Sequence, residues 1–183
     1  NLAQFAHIST YSAEDAAKPQ RAVGMVANLR PETSPDVFIE AASLALKKHR
    51  NTVFRIAGEG ELRPQLERQI DALGLKGRFE LPGRIVDIPD YLRALDICVL
   101  SSNTEAMPNV LVEYLAAGRP VVATRVGGAE ELITDEEHGL IVPPLDPRAL
   151  AAAIDRLLSD PQLATNLAHA GRLRVRADYG GDN

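Results

Sequence analysis

The sequence predicts an α/β domain: a parallel sheet with helices on both faces. Three observations predict it. Six short apolar runs recur, at residues 22–27, 53–57, 79–81, 97–100, 120–123 and 140–142. Between them lie longer stretches whose apolar residues stand three or four apart, the helical period. Five of the runs are followed by segments, at 28–35, 58–61, 82–87, 101–109 and 125–130, that hold nearly every unusual glycine, proline and polar cluster. Strands that alternate with helices assemble as a parallel sheet. In such sheets, ligands bind outside the carboxyl ends of the strands.

Each element has its own signal. Residues 1–20 are polar and weakly patterned, end in Lys18-Pro19-Gln20, and read as a lead-in or linker. A helix over 37–46 places Val37, Phe38, Ala41, Ala42, Ala45 and Leu46 at helical spacing. A second, over 62–73, repeats the pattern with Leu62, Leu66, Ile70 and Leu73, and Gly74 closes it as a C-terminal cap. The stretch 88–95 is shorter, with Pro89 in its first turn. Residues 110–117 end at Gly118. Asp146 caps a helix over 147–158 that has Pro147 at its first position. A last helix follows Pro161.

The bulk properties narrow the class. A chain of 183 residues is enough for one medium domain with a core. The net charge of -5 argues against a general nucleic-acid surface. One cysteine, Cys98, excludes an internal disulfide framework and fits a reducing compartment. It stands in an apolar run, which favours a small buried hydrophobe over a reactive thiol. No apolar run approaches the roughly 20 residues of a membrane span. The four histidines are scattered without metal-ligand spacing, and His49 and His138 read as surface residues near helix ends or turns. There is neither a nucleophile elbow nor a Walker lysine.

The most informative stretch is SSNTEAMPNVLVEYLAAGRPVVAT, residues 101–124. Glu105 and Glu113 have seven residues between them, among which are Pro108 and Asn109. One acid falls in a loop, the other inside the helix that the loop feeds. Unpaired N–H groups around Met107, Pro108, Asn109 and Val110 at the helix start, with the positive end of its dipole, suit an anion or a polarised sugar oxygen. Glu113, about a turn into the helix, suits a vicinal diol such as a ribose. The plain alternative makes both acids solvated; the apolar neighbours Val112, Leu115 and Ala116 weigh against it for Glu113.

Three other loops add to this. Gly58-Glu59-Gly60 follows a strand and precedes a helix, as either a close approach for a ligand or an ordinary turn. Gly127-Gly128 is the same kind of signal. Gly83, Arg84, Ile85 and Val86 end the third strand; the apolar pair either covers one face of a flat base or enters the core.

These residues resemble the C-terminal domain of a retaining glycosyltransferase of family four, the group with the GT-B fold. The segments that carry the resemblance are VGMVANLRPE, FRIAGEGELRPQLERQIDALGL, FELPGRIVDIPDYLRALDICVLSSNTEAMPNVLVEYLAAGRPVVATRVGG and HGLIVPPLDPRALAAAI. They run almost continuously over 23–154. The resemblance implies a Rossmann-like domain over 21–175, one half of a GT-B fold, with 1–20 as the remnant of an interdomain linker, 176–183 as a tail, and the N-terminal acceptor domain absent. It implies that Glu113 holds the ribose hydroxyls and that Glu105 contacts the donor sugar as the catalytic-site acid. The backbone over Ala106, Met107, Pro108, Asn109 and Val110 would cradle sugar and diphosphate, and Gly83 to Ile85, with Arg84, would meet the base, near Gly58.

The implied reaction moves a sugar from a UDP- or GDP-linked donor to a glycan, lipid or small molecule, with retention and without a metal ion or other cofactor. The implied setting is cytoplasmic. Two departures stand out. The family's arginine and lysine after the first strand are Asn28 and Thr33 here, and the glycine that follows the lysine is Ser34. Arg30, between them, is either a substitute cation or a solvated loop residue. With the acceptor half missing, the chain alone is expected to be inactive. An epimerase-like half and a degenerate nucleotide-binding module are the competing readings.

Overall fold

The computed structural model describes residues 1–104 and 109–180. Six parallel strands form one sheet: β1 (Arg21–Val26), β2 (Thr52–Ala57), β3 (Phe79–Gly83), β4 (Ile97–Leu100), β5 (Val121–Thr124) and β6 (Leu140–Val142). Their order across the sheet is β3-β2-β1-β4-β5-β6. The order reverses between β1 and β4, so the loops leaving those two strands diverge and open a crevice at the carboxyl edge. β1 and β2 pair in full register, from Arg21 opposite Thr52 to Val26 opposite Ala57.

Helices α1 (Ala13–Ala16), α2 (Pro35–Ala45), α3 (Arg63–Ala72), α4 (Ile88–Arg93), α5 (Asn109–Ala116), α6 (Ala129–Leu132), α7 (Pro147–Ser159) and α8 (Pro161–Tyr179) complete the chain. Alternation along the strands divides the core between the two faces. Val23 and Met25 point to one face, where Phe38, Phe54 and Phe79 meet α7. Phe38 stands edge-on to both other rings, with centroids 5.9 and 5.5 Å away. Ala22 and Cys98 point to the other face, among Tyr91, Leu95, Leu111, Tyr114 and Val175. Burial pushes the Cys98 thiol above its ordinary range, as expected for a small buried hydrophobe.

The expected caps form. Asp146 accepts from the Ala149 N–H at 2.9 Å, with Pro147 opening α7. Gly74 takes φ +70° just past α3. Among the described residues no helix is long and apolar enough to cross a membrane.

The structure adds detail at both ends of the chain, and one expectation changes. Residues 1–20, read as a lead-in or linker, pack onto the domain. Phe5, Ile8 and Tyr11 are buried; only Phe5 lies in a helical turn, Leu2–Phe5, and the polar residues around all three hide them in the sequence. Arg172 donates to the Ile8 and Phe5 carbonyls, and Arg119 donates to the Ser9 carbonyl. Tyr11 also donates to the buried carboxylate of Asp96, which accepts the Ala22 N–H at 2.7 Å. At the other end, α8 runs on through Tyr179. Finally, His138 is buried rather than on the surface, and its Nδ1 accepts from the Thr134 N–H.

Candidate functional site

The crevice holds a groove of about 340 Å³. Each element at the carboxyl edge supplies part of its wall. The end of β1 and the loop after it supply Val26, Ala27 and Asn28; the end of β2 and its loop supply Ala57, Gly58 and Glu59. The loop after β3 gives Arg84 and Ile85, α4 gives Ile88, and α5 gives Val110 and Glu113. Six residues read from the sequence as binding positions therefore meet here: Asn28, Gly58, Arg84, Ile85, Val110 and Glu113.

Glu113 is half-buried, and burial holds its carboxyl above the usual range. On its other side a second cavity of about 240 Å³ includes Asn109 and Gly128 in its wall. The carboxylate thus stands between two hollows, able to accept hydrogen bonds from a diol presented in the groove.

Two glycines let backbones close the groove's far end. A Cβ on Gly58 would lie 1.8 Å from the Ala27 carbonyl oxygen, so only glycine fits there. Gly83 has φ +86° and accepts the Gly58 N–H at 2.8 Å. Between base cover and core, Ile85 and Val86 divide: Ile85 packs on the core and lines the groove, while Val86 is 98% exposed and lines no part of it.

The loop after β1 differs from expectation in its details. Asn28 is exposed on the groove wall. Thr33 turns its hydroxyl back onto its own loop, donating to the Asn28 carbonyl at 2.5 Å and lying 3.0 Å from that of Arg30. Arg30 is exposed and is not part of the groove's lining, so the lining has Arg84 as its cation. Ser34 adopts a left-handed conformation, φ 46° and ψ 52°, at the start of α2. That conformation is the reason glycine suits the position. Glu105, Ala106, Met107 and Pro108 lie outside the described residues.

Sequence reading missed Tyr114. Its buried hydroxyl accepts the Val26 N–H at 2.8 Å and donates to the Val99 carbonyl at 2.9 Å. It thereby pins α5, and Glu113 with it, to the ends of β1 and β4. The only available signal was a tyrosine in an apolar helix, which reads equally as core.

Fold and site together define a Rossmann-like α/β domain with an open groove at the carboxyl edge of its sheet, and comparison with known proteins places it. The chain belongs to the glycosyl transferases group 1 family, whose description matches residues 10–174. It is similar to the alpha-D-kanosaminyltransferase of Streptomyces kanamyceticus, 36% identical over 156 residues that make up 84% of this chain and 40% of that protein. It thus spans less than half the length of the curated relatives it matches, 40% of the first and 17% of a longer one. Among solved structures, the C-terminal domain of the group 1 glycosyl transferase LpcC from Francisella tularensis superposes with a TM-score of 0.86 at 29% identity, covering 98% of this chain and 97% of that one. Anabaena HepE, solved in complex with UDP, gives a TM-score of 0.83 at 26% identity, covering 97% of this chain and 50% of that one. The Rossmann-like domain of a GT-B glycosyltransferase is the architecture these matches share with the chain.

Proposed function

We propose that this chain is the donor-binding half of a glycosyltransferase that moves a sugar from a nucleotide sugar to an acceptor with retention of configuration. The observation that carries the reading is the groove in which Glu113 faces Gly58, Arg84 and Ile85. In it, Glu113 accepts the two ribose hydroxyls, Ile85 covers the base, and the segment at Gly83 reads the base edge through its backbone. Val110 and Asn109, in the first turn of α5, lie towards the diphosphate. The HepE complex supports a UDP-linked donor as the first candidate. Because the chain spans less than half the length of its relatives, we assign acceptor recognition to the remainder and no transfer to the chain alone.

Titration of the 183-residue chain with UDP, GDP and ADP tests the reading. UDP binding in the micromolar to millimolar range, weakened about tenfold or more by Glu113→Gln, is the expected outcome, a charge-assisted pair being worth roughly 1.5–3 kcal/mol. Absence of binding by all three at millimolar concentration, or an unchanged affinity in the variant, refutes it. Sugar transfer by the chain alone refutes the assignment of acceptor recognition.

One observation favours a second reading, a nucleotide-binding module with little transfer activity. Asn28 and Thr33 bring no cation to the groove, and the Thr33 hydroxyl is occupied within its loop. Loss of one cationic donor to a leaving diphosphate costs on the order of 3 kcal/mol in a transition state. Tight nucleotide binding without turnover in the full-length parent would select this reading.

A further inference from the structure

The edge strand β3 ends irregularly. Arg55 stands opposite Glu80 and Ala57 opposite Gly83, so β3 carries one more residue than β2 between those pairs. Pro82, within that interval, has no N–H to give to the ladder. The segment that follows is Gly83 to Ile85, the wall assigned above to the base. Across the bulge and the proline, the ladder bond from the Gly58 N–H to the Gly83 carbonyl ties the segment to β2, and the Leu81 carbonyl before it needs a partner of its own.

A clamp from α3, the helix that joins β2 to β3, adds to that bond. Arg63, the first residue of α3, reaches across and donates to the Leu81 carbonyl from both terminal nitrogens at 3.3 Å. Its guanidinium is gripped in turn by Glu59, Nε to Oε2 at 2.9 Å and Nη2 to Oε1 at 2.7 Å. This is the two-pronged arginine–carboxylate geometry, which fixes orientation as well as charge. Glu59 Oε1 sits so close to Gly83 that a Cβ there would lie 2.9 Å from it. The Glu59 carbonyl also accepts the Leu29 N–H at 2.9 Å, tying the same turn to the loop that carries Asn28.

We propose that Arg63, locked by Glu59, is the positioning residue that fixes the Gly83–Ile85 wall relative to Asn28 and Glu113, and so sets the base end of the groove. The consequence for nucleotides rests on the function proposed above; the clamp itself does not. Arg63 is not part of the groove's lining. It acts by removing the freedom of a bulged edge strand, so the groove is formed before the base arrives.

The test compares wild type with Arg63→Met, Arg63→Lys and Glu59→Gln by backbone amide exchange and by titration with UDP and with pyrophosphate. Arg63→Met should speed exchange of the Gly83, Arg84 and Ile85 amides by about tenfold or more while β1 and β4 amides keep their protection. UDP affinity should fall on the order of tenfold, pyrophosphate affinity should not move, and Arg63→Lys should restore part of the loss. Glu59→Gln keeps the shape of the acid and should give an intermediate effect, a second route should Arg63→Met fold poorly. Unchanged exchange over Gly83 to Ile85, or equal loss for UDP and pyrophosphate, overturns the proposal. If wild type binds no nucleotide, the proposed function falls, and the exchange data still decide the clamp.

Discussion

Val26 donates its backbone N–H to the Tyr114 hydroxyl at 2.8 Å. The same hydroxyl donates to the Val99 carbonyl. One phenol oxygen therefore joins β1, β4 and α5 at the point where the strand order reverses, one residue from Glu113. Tyr114→Phe removes it and leaves a buried N–H and a buried C=O unpaired. The expected cost is about 2–3 kcal/mol, since stranded buried polar groups carry their full desolvation penalty. Thermal unfolding should show a Tm lower by roughly 4–12 °C. An unchanged Tm would show that water takes over both partners.

Glu113 gives a pH-dependent prediction. Its carboxyl is held above the usual range by burial, so the folded state favours its protonated form. The folded state therefore binds the proton more tightly than the unfolded one, and stability contributed by the protonated form is lost as pH rises. Glu113→Gln should accordingly be slightly more stable than wild type at pH 7, by under about 1 kcal/mol because solvent screens a half-exposed group. The advantage should vanish below the ordinary carboxylate pKa. UDP affinity should run the other way, falling in wild type as pH drops through the raised pKa. Parallel denaturation and titration series between pH 4 and pH 8 read both, and a flat affinity profile in wild type would dissociate the carboxylate from the ligand.

Ser34 is strained and unsatisfied. It has φ 46°, it is buried, and its Oγ lacks a hydrogen-bond partner among the described residues. Ser34→Gly relieves the left-handed strain and removes the orphan hydroxyl, at the cost of a more flexible unfolded chain. The net expectation is a gain of about 1 kcal/mol. Urea midpoints measure it; a destabilised variant would show that the hydroxyl is satisfied after all.

Asn28 lies on the groove wall where a cation is missing. Asn28→Arg should tighten UDP binding by about tenfold while leaving affinity for uridine unchanged, because an added guanidinium acts on the diphosphate. Calorimetry with both ligands separates the effects. Equal gains for UDP and uridine would place the new side chain on the base instead.

Asp96 holds the lead-in. Its buried carboxylate receives Ala22 N–H and Tyr11 O–H and lies 3.3 Å from Arg21 Nε. Asp96→Ala removes the carboxylate that accepts the Ala22 N–H and the Tyr11 O–H and faces Arg21, although Arg21 still donates to Tyr11, and should cost about 3 kcal/mol. Limited proteolysis should then cut within residues 9–20 first. Resistance there equal to wild type would show that Arg119 and Arg172 suffice to hold the segment.

Much of the fold is legible in the sequence because its signals are local. The runs at 97–100 and 140–142 coincide with β4 and β6, since a strand buried on both faces must be apolar throughout. Pro147 after Asp146 and Gly74 after Leu73 mark helix ends by chemistry confined to one turn. The short α6 carries too few residues to show a period, and Phe5, Ile8 and Tyr11 are buried from irregular chain among polar neighbours, with no period to reveal them. In the groove, Gly58 and Glu113 are visible because backbone freedom and a charge within an apolar helix are local signals. Arg63 and Tyr114 are not, because each acts through a carbonyl or amide far away in the chain.

The sequence by itself determined the alternation of strand and helix, the caps, and the family to which those segments belong. Periodicity and capping are properties of neighbours, and neighbours are what a sequence records. Tertiary structure alone decided which loop residues share the groove. The β3-β2-β1-β4-β5-β6 order brings Asn28, Arg84 and Glu113 to one crevice. Thr33 is excluded because its hydroxyl closes its own loop, and Val86 because its side chain leaves the wall on which Ile85 stays. Those outcomes rest on strand order and side-chain direction, which depend on contacts between residues far apart in the chain.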